Sequence, residues 1–354
     1  MEIIIQYLLI VSILALFTFV EINVQKEAQH TVRLVYWISA VIIFFFSLRL
    51  CEYSGDYIPY YNFVYRIDTG FSLFSQNLPF AYEKGFIGIC WLIKKYCTQK
   101  VDDIILIIMS LPLVFYFFSF IKWSKLPICS LAIFVAHFHW WLGVVLLRQM
   151  FAVCFMVIAM HCLLTKNSYW KYFIFCFIAV MFHSSAILFF VFPFILKLNI
   201  RESSIIIIIL ISFVVGEIGG LSYLFDSLFV KMERGEIYSN YLESGKGLNV
   251  LAYLEMFLVF LLIKSCSNFL SKDLYRKYLY LSAFSLVLCG ILIKVEVGSR
   301  IAMYFNFLIY IYIIPHLLTL AQIRKTLIIW SILSIYLLVF TYRFVFITIA
   351  TNFK

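Results

Sequence analysis

The residue that asks for an explanation first is Arg148. From Leu126 to Leu164 the chain is almost continuously apolar, long enough for two membrane crossings, and Arg148 is the only full charge in that run. An arginine at membrane depth is costly unless it reaches water, headgroups or an anionic partner. Residues of matching chemistry stand on either side: Arg49, Glu52, Asp56, Tyr60, Tyr61 and Glu83 before it, and Glu296, Arg300 and Tyr304 after it. Two or more arginines converging on one cavity suit a diphosphate, because guanidinium is planar, stays charged and makes short bidentate bonds to phosphate oxygens. A carboxylate such as Asp56 or Glu83 can take the proton of an attacking hydroxyl. Tyrosines such as Tyr60, Tyr61 and Tyr304 offer flat faces and hydroxyls to sugar rings. Arginines near helix ends also snorkel to headgroups, so spacing alone leaves both readings of Arg148 and Arg300 open.

The elements that hold these residues are set by composition. The 354 residues are 64% hydrophobic, 20% aromatic and only 13% charged, more apolar surface than a soluble domain can hide. Repeated apolar runs near 20 residues predict an all-α polytopic membrane protein with about 10–12 transmembrane helices, short or re-entrant ones included. Candidate spans are 3–20, 32–48, 85–97, 101–121, 126–141, 144–164, 171–196, 203–224, 248–263, 277–293, 301–320 and 326–348. No Pro/Gly/Ser linker divides them, so residues 1–354 read as one transmembrane domain with outer-face loops at about 49–84 and 225–247. The apolar stretch 3–20 has no basic segment before it and no small-x-small site after it, which predicts a retained first span. The nine cysteines include no C-x-x-C pair and mostly lie in apolar runs, as small packed hydrophobes do.

The net charge of +10 would suggest nucleic acid in a soluble protein. Here the basic residues sit mostly in short loops, where they orient helices and meet anionic headgroups, and a nucleic-acid role is rejected. Lys26 and Arg33, Lys122 and Lys125, Lys166 and Lys171, Lys197 and Arg201, Lys264 through Lys277, and Arg324 and Lys325 mark one face as cytoplasmic. Loops 49–84 and 225–247, the 140–148 turn and the Lys294–Arg300 turn then fall outside. The parity closes only if 85–97 does not simply cross and if 171–196 doubles back, or crosses as two halves, near His183-Ser184-Ser185. Broken helices at membrane depth are tolerated only where they are buried in protein or line a wet cavity.

The order of the local sequences narrows the function. Leu48-Arg49, Gly55-Asp56-Tyr57-x-x-Tyr60, Tyr82-Glu83-Lys84-Gly85-Phe86, Leu147-Arg148-Gln149-x-x-Ala152, Ala179-x-x-Phe182-His183-Ser184-Ser185-Ala186 and Arg300-x-x-x-Tyr304-Phe305 occur in that succession. The series, over about residues 33–320, resembles the EpsG-like family of bacterial polysaccharide polymerases, a branch of the Wzy-type O-antigen and capsule polymerases. One departure is that Arg49 stands farther from Gly55 than the R-x-x-x-G-x-D form of the family's first motif. The resemblance implies a fold related to the GT-C class and a bacterial cytoplasmic-membrane site facing outward. It implies transfer of a growing glycan from undecaprenyl diphosphate to a lipid-linked repeat unit, with undecaprenyl diphosphate leaving. No cofactor, nucleotide sugar or essential metal is implied, and the partners are the two lipid-linked oligosaccharides, the bilayer and a chain-length regulator. Under it, Arg148, Arg300 and Arg49 hold the diphosphate with Gln149, while Asp56, Glu83 and His183 serve the acceptor hydroxyl, phosphate or sugar.

Blander readings stand beside these. Asp56, next to Gly55 and just before Ile58-Pro59, fits an Asx-type turn. Glu83 before an apolar helix fits a dipole-favoured N-terminal charge. His183 fits an intramembrane histidine bonded to a carbonyl, although His-Ser-Ser inside an apolar run is expensive. His137-Phe138-His139 looks like a metal pair, but residues two apart point to different helix faces, and a zinc site is rejected. His161 reads as structural, and Tyr238, Tyr241 and Lys246 as sugar contacts. The competing functions are a ligase or other lipid-linked glycosyltransferase, and a flippase. A flippase is expected to show midplane charges and internal repeats, whereas the charges here gather toward one face.

Overall fold

A computed structural model describes residues 2–23, 29–54, 56–70, 82–219, 250–294 and 296–320, and among them there is helix and turn but no strand. Lipid offers backbone groups no hydrogen bonds, so a chain this apolar must satisfy them within each segment. Among the described residues, five helices are long and apolar enough to cross a membrane: Ile5–Asn23, Gln29–Tyr53, Val101–Trp123, Leu147–Lys166 and Arg300–Leu320. Shorter apolar helices accompany them. The protein is an all-α polytopic membrane protein. The 225–247 loop and the 326–348 span lie outside the described residues, as do Tyr238, Tyr241 and Lys246.

The chain divides into two compact units. The first takes Met1–Ala159, Phe173–Ser184 and Tyr310–Lys354. In it, α1 (Glu2–Asn23) packs on α6 (Pro127–Ile133), and α2 (Gln29–Leu50) packs on α5 (Val101–Trp123). The buried Glu21 of α1 accepts the backbone N–H groups of Ile128 and Cys129 at 3.0 and 2.9 Å, satisfying donors that a helix start leaves open. Tyr36 of α2 donates to the Phe117 carbonyl at 2.5 Å. The α6 segment does not run on as a regular helix across 126–141. It continues through two π-turns, Phe134–Phe138 and Trp141–Val145, and breaks at Leu146, whose ψ of 63° lies outside the helical region. Then α7 (Leu147–Lys166) begins.

Two short helices, α3 (Tyr57–Arg66) and α4 (Lys84–Tyr96), lie against α5. α3 lies within the stretch expected as an outer loop, and α4 is the short segment expected at 85–97. Lys94 of α4 donates to the carbonyls of Val64, Tyr65 and Ile67 at 2.8–2.9 Å, closing the end of α3. The run 171–196 breaks where expected: α8 (Tyr169–Phe182) stops, His183 is not helical, and Ser184–Val191 is a 3₁₀ turn leading into α9 (Phe192–Ile195).

The second unit takes Met160–Tyr172 and Ser185–Ile309. Its centre is the crossing of α10 (Glu202–Glu217) with α12 (Lys272–Ile291), flanked by α11 (Val250–Ser265) and α13 (Glu296–Leu308). Gly216 meets Gly290 there, and a Cβ on Gly216 would lie 1.8 Å from the Gly290 carbonyl oxygen. Small residues let the backbones close in, the usual way helices bind one another in lipid. At one end of this unit several of the basic segments are tied together. The buried Lys277 donates to the Leu164 carbonyl at 3.2 Å and to Asn167 Oδ1 at 2.7 Å. Tyr275 donates to Glu202, and Arg276 and Tyr280 both donate to the Leu198 carbonyl.

Candidate functional site

Arg148 is the second residue of α7, immediately after the break at Leu146. Helical side chains lean toward the N-terminus, so this position sends the guanidinium out past the start of the helix. There its Nη1 meets Glu83 Oε2 at 2.7 Å, with the two side chains 24% and 13% exposed. Glu83 stands at the N-cap position of α4, yet its side chain makes no cap bond. Its other oxygen, Oε1, accepts the Ser184 backbone N–H at 3.1 Å. A tertiary role is thus added to the helix-start position of Glu83: one carboxylate ties α4, α7 and the broken end of α8 together.

Gly85 makes that junction possible. A Cβ there would stand 2.6 Å from the Met181 carbonyl oxygen and 2.9 Å from its carbon. Only glycine lets α4 approach the backbone of α8 so closely, and that approach carries Glu83 to Ser184.

The guanidinium also lies over the Tyr82 ring, 4.4 Å from its centroid, a cation–π contact. Tyr60, buried at 5% exposure, lies within electrostatic reach of Arg148. Tyr60, Phe63, Tyr82 and Phe86 form one aromatic wall, with centroids 4.4–6.0 Å apart. Burial pushes the Tyr60 hydroxyl up to about 12 although Arg148 pulls it down, so it is a neutral donor at physiological pH. Burial also pushes the Glu83 carboxyl up, but Arg148, His183 and the Ser184 N–H outweigh it and hold Glu83 below its ordinary value. The Arg148 Nε is buried and has no hydrogen-bond partner among the described residues. A fixed cation with a donor to spare, beside a carboxylate and an aromatic wall, can take an oxyanion such as a phosphate.

A model of the EpsG family matches residues 32–354. The chain belongs to the EpsG family. The family is one of Wzy-like polysaccharide polymerase-type proteins, so this EpsG-family chain is a polymerase-like membrane protein of polysaccharide biosynthesis. No curated protein and no solved structure matches it.

Of the residues singled out in sequence, Tyr60, Glu83, Arg148 and His183 come together in the first unit of this EpsG-family chain, and the charge of Asp56 acts on Tyr60 and Tyr82. Asp56 occupies the N-cap position of α3 without a side-chain cap bond. Gln149, next to Arg148, is wholly buried. Arg49 is exposed in the last turn of α2, and Tyr61 is half-buried, its ring tilted on Tyr57 at 6.2 Å. Arg300 and Tyr304 belong to α13 in the second unit. Arg300 is half-buried. Tyr304 is 1% exposed, lies against Phe189, and takes a 3.4 Å hydrogen bond from the Ser185 hydroxyl. Sequence reasoning gives no role to Tyr82 or to the Ser184 N–H. The signal for Tyr82 is its adjacency to Glu83; a main-chain donor leaves none.

Proposed function

We propose that this EpsG-family chain is a glycosyltransferase that joins undecaprenyl-diphosphate-linked oligosaccharide repeat units at the outer face of the bacterial cytoplasmic membrane. The observation that carries the reading is Arg148, held by Glu83 and Tyr82 with its Nε left over. In the reaction the acceptor hydroxyl oxygen attacks the anomeric carbon of the donor glycan. The bond from that carbon to the diphosphate oxygen breaks, its electron pair leaves on undecaprenyl diphosphate, and the hydroxyl proton passes to a carboxylate, Asp56 or Glu83. Negative charge grows on the leaving oxygen, and a preorganised cation aimed at it lowers the barrier. Tyr82 offers a ring face and hydroxyl to the sugar nearest the diphosphate, and the buried Tyr60 backs it. Arg300, Arg49 and Gln149 join the diphosphate-binding set on the strength of the motifs they stand in.

The test is Arg148→Ala in the native host, with surface polysaccharide resolved on a gel. A polymer that collapses to one capped repeat unit supports the reading. Loss of even the single unit points instead to a flippase or ligase. Arg148→Lys is expected to shorten the polymer as well, because a point charge cannot reproduce the guanidinium fork. Full-length polymer from the lysine variant at native protein level would defeat bidentate phosphate binding.

A further inference from the structure

Its spacing from His137 rules His139 out as half of a metal pair, and the structure gives it other work. Its ring is wholly buried and joins three helical segments of the first unit. Ser47 on α2 gives its one hydroxyl proton to the Ile43 carbonyl at 2.7 Å. Ser47 Oγ therefore accepts from His139 Nε2–H, at 2.6 Å. In the neutral ring Nδ1 is then an acceptor, and it takes the Tyr7 O–H from α1, also at 2.6 Å. One tautomer satisfies all three groups without a charge.

The ring sits between the two π-turns. Phe134, which opens the first, meets it edge-on at 5.8 Å. Gly143, inside the second, is so close that a Cβ would lie 3.1 Å from His139 Cδ2. Phe46 stacks on the remaining face at 5.8 Å. A π-turn inserts one residue per turn and re-aims the chain beyond it. Beyond these two turns lie the break at Leu146 and then Arg148. An apolar run alone has no reason to settle in this broken register, and the imidazole is the polar group that pins it to α1 and α2.

We propose that His139, clamped by Tyr7 and Ser47, is a positioning residue that sets the direction in which Arg148 leaves the membrane segment. The inference rests on the reading of Arg148 as the diphosphate ligand. It is tested with full-length protein in nanodiscs and undecaprenyl diphosphate as the probe, comparing wild type, His139→Asn, Arg148→Ala and the double variant. The expected result is that His139→Asn weakens binding by about 10-fold or more, the loss of one charge-assisted hydrogen bond from a re-aimed guanidinium. In the Arg148→Ala background it weakens binding no further, because residues acting through one group are not additive. A purely structural role would add its loss in both backgrounds, and that outcome overturns the proposal, as does His139→Asn binding like wild type. Where His139→Asn fails to accumulate, Ser47→Ala removes only the Nε2 partner and is judged by the same criteria. Equal binding by wild type and Arg148→Ala is a separate result: it defeats the diphosphate reading itself and this inference with it.

Discussion

Replacing Gly85 with alanine sets two physical effects against each other. Helix propensity alone favours the change, by up to about 1 kcal/mol. The packing of α4 on α8 forbids it. The new Cβ would stand 2.6 Å from the Met181 carbonyl oxygen, where ordinary contact begins at 3.4 Å, so the two segments must part by about 0.8 Å. The obstacle is main chain inside a helix and cannot rotate aside. Overpacking of this kind costs about 1–3 kcal/mol, so the packing term wins and the variant is destabilised. The damage to the site is larger than the damage to the fold. The Glu83–Ser184 bond is 3.1 Å, and lengthening it by about 0.8 Å takes it beyond hydrogen-bond range. Glu83 then loses one of its two anchors and Arg148 loses its fixed partner, which predicts about a 10²-fold loss of turnover. The assays are the thermal unfolding midpoint of the purified protein and the polymer length made in the host. An alanine variant that unfolds at or above the wild-type temperature and makes full-length polymer would refute this account of Gly85.

Glu83→Gln tests the ion pair through pH. The folded Glu83 carboxyl lies below its ordinary value of 4.5. Its contribution to stability is therefore complete above that value and lost as the pH falls through the lower folded one. The glutamine variant should show a shallower acid-side drop in unfolding midpoint than wild type, and identical drops would count against the pair. In the second unit, Gly216→Ala places a Cβ 1.8 Å from the Gly290 carbonyl oxygen. That variant should fail to accumulate in the membrane; normal levels on an immunoblot would show that α10 and α12 can separate at little cost. Arg300→Ala should shorten the polymer at unchanged protein level if Arg300 is a second diphosphate-binding guanidinium. Unchanged chain lengths would remove Arg300 from the reaction.

Much of this molecule can be read from its letters, and the exceptions share a cause. Apolar runs predict helices because lipid leaves the backbone no other solution, and the expense of His183-Ser184-Ser185 in such a run correctly predicts the end of α8 at Phe182. The π-turns at Phe134–Phe138 and Trp141–Val145 have no such signature, since the same apolar residues fit a π-turn and an α-turn. They are fixed by the bonds from His139 to residues 92 and 132 positions away. Glu83 shows the same limit. Locally it reads as a helix-start charge, but its partners are Arg148, 65 residues on, and the Ser184 N–H, 101 residues on. Gly85 announces a close approach without saying to what. Tyr304, read as a sugar contact, lies buried against Phe189, because its hydroxyl finds Ser185 within its own unit.

The first helix acts as a splint. Glu21 holds the start of α6 and Tyr7 holds His139 beyond its end, so α1 braces that interrupted segment at two points about 21 Å apart along its own axis, at about 1.5 Å of rise per residue. The family match begins only at residue 32, so this brace precedes the shared region. Trimming the protein to the matched residues would strip two main-chain N–H groups and an imidazole nitrogen of their partners in hydrocarbon. A chimaera that borrows this chain's Arg148 junction must therefore bring the leading helix along, or supply another support of the same length.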